Sequence, residues 1–162
     1  MIEIKIDNRI YQVEPGITIL EACRQQGIDI PTLCYLPGIA AEAACSLCLV
    51  EVKGAKSLLR ACITQVTPGM EIITNTERVQ QAQRLNLELI LANHPLDCMT
   101  CDKDGDCELQ DLAYRFGIKR SRFLKTTDIF EKELPTPWDS NVFIKFSPQK
   151  CVLCGRCLNA CQ

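Results

Sequence analysis

The stretch "IEIKIDNRIYQVEPGITILEACRQQG" (residues 2–27) decides the fold of the first part of the chain. Over residues 2–6, isoleucines alternate with charged residues, which is the period of a strand with one buried face. The turn-forming "DN" then lets "IYQV" return as the second strand of a hairpin. Thr18 and Glu21 form a T-x-x-E capping box, which predicts a helix that ends at Gly27.

Strand-like segments follow this helix. They are "CLVEV" (48–52), "LLRACIT" (58–64) and "MEIIT" (70–74). Two strands, a helix and then further strands is the order of elements in a β-grasp domain, which we assign to residues 1–75. The sequence therefore predicts an α+β protein.

A helical segment comes next, over residues 76–120. Val79, Ala82, Leu85 and Leu89 recur at helical spacing, and they predict a long helix that stops before Pro95. Such a helix would deliver His94 to the edge of a cysteine-rich loop. The stretch "CELQDLAYRFG" (107–117) predicts a short second helix that ends at its glycine.

Residues 121–141 are interpreted as a linker, because prolines at 135 and 137 interrupt any helix. The following "VFIKF" (142–146) predicts a strand that opens a last segment, residues 142–162. Five basic residues and no acidic ones lie between 115 and 125. They form either a solvated face, or a docking surface or positive charge opposite an anionic group.

Composition and charge exclude several classes of protein. The net charge of −2 gives no general attraction to nucleic acid or to an anionic membrane. The apolar runs are far shorter than the roughly 20 residues of a membrane-spanning helix. The N-terminus has no hydrophobic core of a signal peptide, so the sequence predicts a soluble cytoplasmic protein.

Twelve cysteines need a chemical explanation. Eleven fall in three groups that contain close C-x2-C pairs, a spacing that favours shared metal over disulfide bonds. Cys23 stands apart in the middle of the first predicted helix, and we interpret it as a buried thiol.

The first group has the spacing C-x10-C-x2-C-x13-C and comprises Cys34, Cys45, Cys48 and Cys62. Four thiolates suit zinc or a 2Fe–2S cluster. Structural zinc sites usually contain two tight cysteine pairs, whereas this group contains one, as does the plant-type ferredoxin pattern. Its first gap has ten residues instead of the four of that pattern.

The second group reads H-x3-C-x2-C-x5-C and comprises His94, Cys98, Cys101 and Cys107. Zinc accepts such a set, so zinc is the rival here. The third group reads C-x2-C-x2-C-x3-C, the run found in bacterial ferredoxins that hold 4Fe–4S clusters, and comprises Cys151, Cys154, Cys157 and Cys161.

The stretches "DIPTLCYLPG", "CSLCLVEV" and "HPLDCMTCDKDGDCELQ" resemble the N-terminal iron–sulfur region of one protein family. Its members are the large iron–sulfur subunit of complex I, iron hydrogenases and the large subunit of NAD-linked formate dehydrogenases. The resemblance covers about residues 1–120 and resumes near 141. The last stretch, "NVFIKFSPQKCVLCGRCLNAC", is similar to the hydrogenase and formate dehydrogenase members, with a slight lean to the latter, and disfavours the complex I member.

The resemblance implies the cofactors. The first group would bind a 2Fe–2S cluster, and the His94 group a 4Fe–4S cluster with three cysteines and one histidine. The last group would contribute to one or two further 4Fe–4S clusters whose ligand set is incomplete in this chain. In two-cluster ferredoxins the fourth cysteine of such a run ligates the other cluster, which leaves Cys161 without its companions. We therefore expect an N-terminal piece of a longer subunit that stably holds about six irons, unless Cys161 completes its own cluster.

The resemblance also implies an electron-transfer module. Its partners would be a flavoprotein subunit that binds NAD(P)H, a thioredoxin-like 2Fe–2S subunit, and a hydrogenase or formate dehydrogenase catalytic domain. No Ser/His/Asp set, P-loop or dinucleotide-binding glycine motif accompanies the cysteines, so no residue for converting a substrate is assigned. Two alternatives stay open: a free-standing ferredoxin-like carrier and a zinc-stabilised binding module.

Overall fold

The computed structural model describes residues 1–123, 143 and 146–161. They form two compact units, Met1–Asn86 with Gly155–Gln162, and Leu87–Cys154. Most of the predicted linker and most of the predicted strand over 142–146 lie outside the described residues. Among the described helices, none is long and apolar enough to cross a membrane.

The first unit is built on a five-stranded mixed sheet with the order β2-β1-β5-β3-β4. Strand β1 pairs in parallel with β5, and the other neighbours pair antiparallel. The predicted hairpin is present, and its turn residues Asp7 and Asn8 adopt positive φ angles of 47° and 70°. The strands are β1 Ile2–Ile6, β2 Arg9–Val13, β3 Leu49–Val52, β4 Leu59–Arg60 and β5 Glu71–Ile73.

Helix α1 (Ile19–Gln25) covers this sheet, as the capping box predicts. The backbone N–H of Thr18 donates to the Glu21 carboxylate at 2.8 Å, and the N–H of Glu21 donates to Thr18 Oγ1 at 3.2 Å. The apolar face of α1 packs into the core with the isoleucines of β1. Its buried residues include Cys23, whose side chain is fully enclosed, so the prediction of a buried thiol is confirmed.

The strand predicted over residues 58–64 is shorter than expected. Only Leu59–Arg60 pairs as a strand, because the N–H groups of Ile63 and Thr64 both donate to the carbonyl of Arg60 and turn the chain. The Ala61 N–H still donates to the Cys48 carbonyl at 2.8 Å. This turn places Cys62 beside Cys48.

Helix α2 (Glu77–Ala92) confirms the long helix, but only one of the apolar residues that predict it, Val79, is fully buried. Leu85 and Leu89 are 42% and 46% exposed. The buried residues of α2 instead lie four positions apart along the helix, and the carboxylate of Glu88 is buried next to them. They are Val79, Gln83, Leu87, Glu88 and Leu91.

Two polar side chains are buried on α2 because each has a partner. Gln83 donates to the Leu49 carbonyl at 3.0 Å. Glu88, which is 1% exposed, pairs with Arg122 at 2.7 Å between Oε2 and Nε. Arg122 belongs to the basic stretch between 115 and 125, so at least this residue of the stretch compensates a buried charge.

The second unit is completed by a 3-10 turn over Cys98–Thr100 and by helix α3 (Glu108–Arg115). Gly117, at φ +62°, ends α3 as predicted. Leu109, Leu112 and Ile118 are buried. A short helix α4 (Arg156–Ala160) follows in the last cysteine run and belongs to the first unit. The mixed sheet with its helices confirms the α+β class.

Candidate iron–sulfur sites

The four cysteines of the first group are brought together inside the first unit. Cys34 and Cys45 bracket a ten-residue loop, Cys48 directly precedes β3, and Cys62 follows β4. All four side chains are at most 9% exposed. Thiols that are buried this thoroughly, outside disulfide bonds, form a set that can exclude water from a bound group.

These thiols interact as two pairs. Cys34 donates to Cys45, which raises the pKa of Cys34 and lowers that of Cys45 to about 6. Cys62 donates to Cys48 in the same way, which raises the pKa of Cys62 and lowers that of Cys48 to about 7. One thiol of each pair therefore ionises more readily than an ordinary cysteine, and the thiolate is the form that binds a metal.

The loop around Cys45 contributes to this preparation. Backbone N–H groups, those of Leu47 and Leu33 among them, point at the Cys45 sulfur and further lower its pKa. Ala43 and Ser46 lie within two residues of Cys45 and have positive φ angles of 54° and 49°, which residues other than glycine rarely adopt. Successive N–H groups in such a turn form an anion-binding concavity.

The pairwise arrangement fits a 2Fe–2S cluster better than one zinc ion. A structural zinc site gathers three or four donors around one ion. A 2Fe–2S cluster needs four cysteines for two irons, two on each, which matches the pairs.

The second group lies entirely in the second unit. Helix α2 ends at Ala92, and the His94 N–H donates to the Leu91 carbonyl, so His94 sits just beyond the helix end as predicted. His94 Nδ1 lies 2.8 Å from the Pro95 carbonyl oxygen. Because a carbonyl only accepts, Nδ1 is the donor, and in the neutral ring this leaves the lone pair on Nε2. That is the form of histidine that binds a metal.

A cavity of about 430 Å³ opens between these residues and α3. His94, Cys98 and Cys107 line it, together with leucines at 91, 96 and 109. The fourth member of the group, Cys101, is not among these lining residues, and its thiol interacts with the Lys150 ammonium group. An apolar cavity with one imidazole and thiols on its wall fits a cluster that takes one protein ligand per iron.

The last cysteine run is divided between the two units. Cys151 and Cys154 belong to the second unit, and Cys157 and Cys161 belong to the first. Cys157 lies within α4 and Cys161 caps its C-terminal end, and both are exposed. Whether Cys161 completes its own cluster stays a prediction.

Helix α4 is attached to the loop between Cys34 and Cys45. Asn159 Nδ2 donates to Glu42 Oε1 at 2.7 Å and lies 3.4 Å from the Ala40 carbonyl oxygen. Gly155 precedes the helix with φ +75°, and a Cβ atom there would lie 2.7 Å from Glu42 Cγ. The first gap, which is six residues longer than in the plant-type pattern, thus includes the contact point for α4.

Sequence reasoning missed the polar residues that support the sites. Asn86 Nδ2 donates to the Ser46 carbonyl at 2.7 Å, and Arg60 Nε donates to Ser46 Oγ at 2.9 Å. Asn86 and Gln83 lie three residues apart on α2, but the helix also carries Gln80 and Gln81, so the local sequence does not mark which amides support the site. Nothing in the local sequence distinguishes Lys150 or Glu42.

Two family models match separate parts of the chain. Residues 1–77 match a 2Fe-2S iron-sulfur cluster binding domain. Residues 83–122 match the NADH-ubiquinone oxidoreductase-G iron-sulfur binding region. The chain therefore carries domains for binding 2Fe–2S and 4Fe–4S clusters.

Similar proteins extend the match over the whole chain. An NADH-quinone oxidoreductase subunit of Rhizobium meliloti is 38% identical over 100% of this chain and 19% of its own length. NADP-reducing hydrogenase subunit HndD of Solidesulfovibrio fructosivorans is 42% identical over 100% of this chain and 28% of its own length. The crystal structure of an NAD+-reducing [NiFe]-hydrogenase in the H2-reduced state superposes with a TM-score of 0.89 at 31% identity, over 98% of this chain and 65% of that one.

This chain spans only about a fifth to somewhat over a quarter of the length of those two curated relatives. The match to the quinone oxidoreductase subunit includes the last cysteine run, so the expectation that this run disfavours a complex I member does not hold. With both cluster-binding regions matched in their chain order, this chain is an iron–sulfur segment homologous to parts of complex I iron–sulfur subunits and of an NADP-reducing hydrogenase subunit.

Proposed function

We propose that this chain relays single electrons between an NAD(P)H-oxidising flavoprotein and a catalytic centre on another domain or subunit. The observation that carries the proposal is that four buried thiols interact as two pairs and that residues later in the chain form a cavity lined by an imidazole and thiols. When bound, iron–sulfur clusters supply one-electron redox chemistry. The chain's own residues supply ligands, exclude water and direct N–H groups at sulfur.

The proposed ligand assignment follows the geometry. Cys34 with Cys45 would hold one iron of the 2Fe–2S cluster, and Cys48 with Cys62 the other. In the second site, one iron each would be held by His94 through Nε2 and by the three cysteines of that group. The last run would contribute to a further 4Fe–4S cluster. Its residues are Cys151, Cys154, Cys157 and Cys161.

The names of the relatives indicate what stands at the two ends of the relay. The names of all three relatives are NAD(P)-linked, which supports an NAD(P)H-linked partner at one end. That this partner is a flavoprotein with a thioredoxin-like 2Fe–2S subunit beside it is our proposal from the family resemblance. Two are hydrogenases and one is a quinone reductase, so a hydrogenase or quinone-reducing centre is favoured over formate dehydrogenase at the other end. We propose that the assembly lies in the cytoplasm or on the cytoplasmic face of a membrane.

Replacing His94 tests the proposal. His94→Cys exchanges a neutral imidazole for a thiolate, which adds negative charge at the second site and is expected to lower one midpoint potential while iron content is kept. The measurement is an EPR-monitored redox titration of the anaerobically prepared chain. A matched change of Asn93→Ala at the same helix end should leave the potential in place. An unchanged spectrum and potential in His94→Cys would show that His94 does not bind the cluster.

A free-standing carrier is the alternative function. Expression with an affinity tag in the native host, followed by pull-down at low salt, separates the two. Recovery of a flavin-containing subunit in constant ratio supports the relay, and recovery of the chain alone supports the carrier.

A further inference from the structure

Lys150 joins the second site to the beginning of the last cysteine run. Its ammonium group lies 3.1 Å from Oδ2 of Asp97, the residue that opens the turn carrying Cys98 and Cys101. Hydrogen bonding to Asp97, and after it to the Cys101 thiol, raises the pKa of Lys150. Lys150 itself directly precedes Cys151. All of these residues lie within the second unit.

The position of Lys150 is fixed from two directions. The backbone N–H of Lys150 donates to the Ser147 carbonyl at 3.1 Å, within a 3-10 turn over Pro148–Lys150. The ion pair with Asp97 orients the side chain from its other end, and the side chains of Lys150 and Asp97 are 36% and 43% exposed. A long side chain constrained at both ends loses less freedom when it donates to a third group.

The electrostatic consequence concerns the reduced state. One-electron reduction adds one negative charge to the site, and no bond is made or broken. A hydrogen bond from a cation to a ligand sulfur stabilises that added charge, because charge-assisted bonds strengthen as the acceptor becomes more negative. Hydrogen bonds to sulfur are among the factors that set iron–sulfur potentials.

We propose that Lys150 is a positioning residue that raises the reduction potential of the His94–Cys98–Cys101–Cys107 cluster by donating to Cys101. The inference rests on the proposed function, because it requires a cluster at that site. Lys150 makes the second site a better electron acceptor than its ligands alone would make it. It also ties that potential to the correct placement of the next cysteine run.

The test is an EPR-monitored redox titration of the full chain, with dithionite as the reductant, in the wild type and three variants. Lys150→Met should shift the His94-dependent signal to lower potential at unchanged iron content. Lys150→Arg, which keeps charge and donors, should recover most of the shift. Lys103→Met is the matched control, because Lys103 pairs with Asp106 at 3.1 Å in the same cysteine loop. It should produce a clearly smaller shift.

Resonance Raman spectra give a second readout that a merely structural role would not move. Loss of a hydrogen bond to a ligand sulfur should raise an iron–thiolate stretching frequency in Lys150→Met and abolish its sensitivity to D₂O. Equal potentials in wild type and Lys150→Met, or equal shifts in Lys150→Met and Lys103→Met, would overturn the inference while leaving the cluster assignment intact. Absence of the His94-dependent signal from the wild type would overturn the proposed function and this inference with it.

Discussion

Ser46 is the residue where the first site stores backbone strain. Its φ of 49° costs on the order of 1 kcal/mol for a residue with a side chain. Asn86 and Arg60 hold its carbonyl and hydroxyl oxygens. Because Ser46 stands between Cys45 and Cys48, these two contacts fix the turn that separates the two thiol pairs.

Asn86→Ala should therefore loosen the 2Fe–2S site. Loss of the 2.7 Å bond to the Ser46 carbonyl is expected to cost about 1–2 kcal/mol of unfolding free energy and to speed cluster loss in air. Visible absorbance followed over time measures the loss. Gln81→Ala, at an exposed position of the same helix, is the control. Equal loss rates in the two variants would contradict the role of Asn86.

Cys23 is the cysteine that should not bind iron. Cys23→Ala is expected to keep the full 2Fe–2S absorbance and to lower stability by about 1–3 kcal/mol through a small cavity. Cys45→Ala should lose the absorbance. Retained colour in Cys45→Ala with loss in Cys23→Ala would reverse the assignment.

Cys23 also predicts a dependence of stability on pH. Burial, helped by the charge of Asp7, raises its pKa from about 9 to about 12. The unfolded thiol ionises near pH 9 and the folded one only near pH 12, so unfolding releases a proton between these values. The contribution of Cys23 to stability is thus complete below about pH 9 and is lost as the pH rises towards 12. Urea unfolding at pH 8 and pH 10 should show a smaller drop in Cys23→Ala than in wild type.

The sequence predicts all twelve candidate ligands because a ligand set is a matter of residue type and local spacing. It does not predict the residues that hydrogen-bond to these ligands and to the loops that carry them. Asn86 is forty residues from Ser46 along the chain, and Lys150 is far from Cys101, so only tertiary structure brings each pair together.

Helix α2 shows that the spacing of apolar residues does not identify the buried face of a helix when polar residues are buried on it. Leu85 and Leu89 are among the apolar residues whose spacing predicts the helix, yet both are substantially exposed. The packed stripe includes Gln83 and Glu88, whose burial depends on hydrogen bonds to residues outside the helix. A pattern of apolar residues contains no information about those distant partners.

Arg122→Met should destabilise the second unit by about 1–3 kcal/mol, because it removes a charged partner from a carboxylate that is 1% exposed. Arg122→Lys should recover part of the loss. Chemical denaturation monitored by far-UV circular dichroism measures it, with Arg120→Met as a control for general loss of charge. Equal stability of the Met variants at 120 and 122 would show that the pair contributes nothing.

Over the whole molecule, the attachment of α4 to the loop between Cys34 and Cys45 joins residues 117 positions apart. The loop is longer than the plant-type spacing requires, and this contact lies within it. Through it, the helix that carries Cys157 is held on the domain that carries the first thiol pairs.

Gly155→Ala should weaken this attachment. The new Cβ would lie 2.7 Å from Glu42 Cγ and would also strain a residue at φ +75°. Gly105→Ala carries the same strain, at φ +76°, with nothing within 4 Å of the new Cβ, so it is a matched control. Hydrogen exchange of the α4 amides should accelerate several-fold in Gly155→Ala and stay unchanged in Gly105→Ala. Acceleration in neither variant would contradict the contact.

The most direct test of the central claim, that this chain is an iron–sulfur relay, is the metal content and EPR spectrum of the anaerobically purified chain. We predict brown protein that dithionite bleaches, with at least about six irons and matching sulfide. One 2Fe–2S signal should be lost in Cys45→Ala, and one 4Fe–4S signal should be altered in His94→Cys. A colourless protein that contains stoichiometric zinc and shows no EPR signal after reduction would contradict the account.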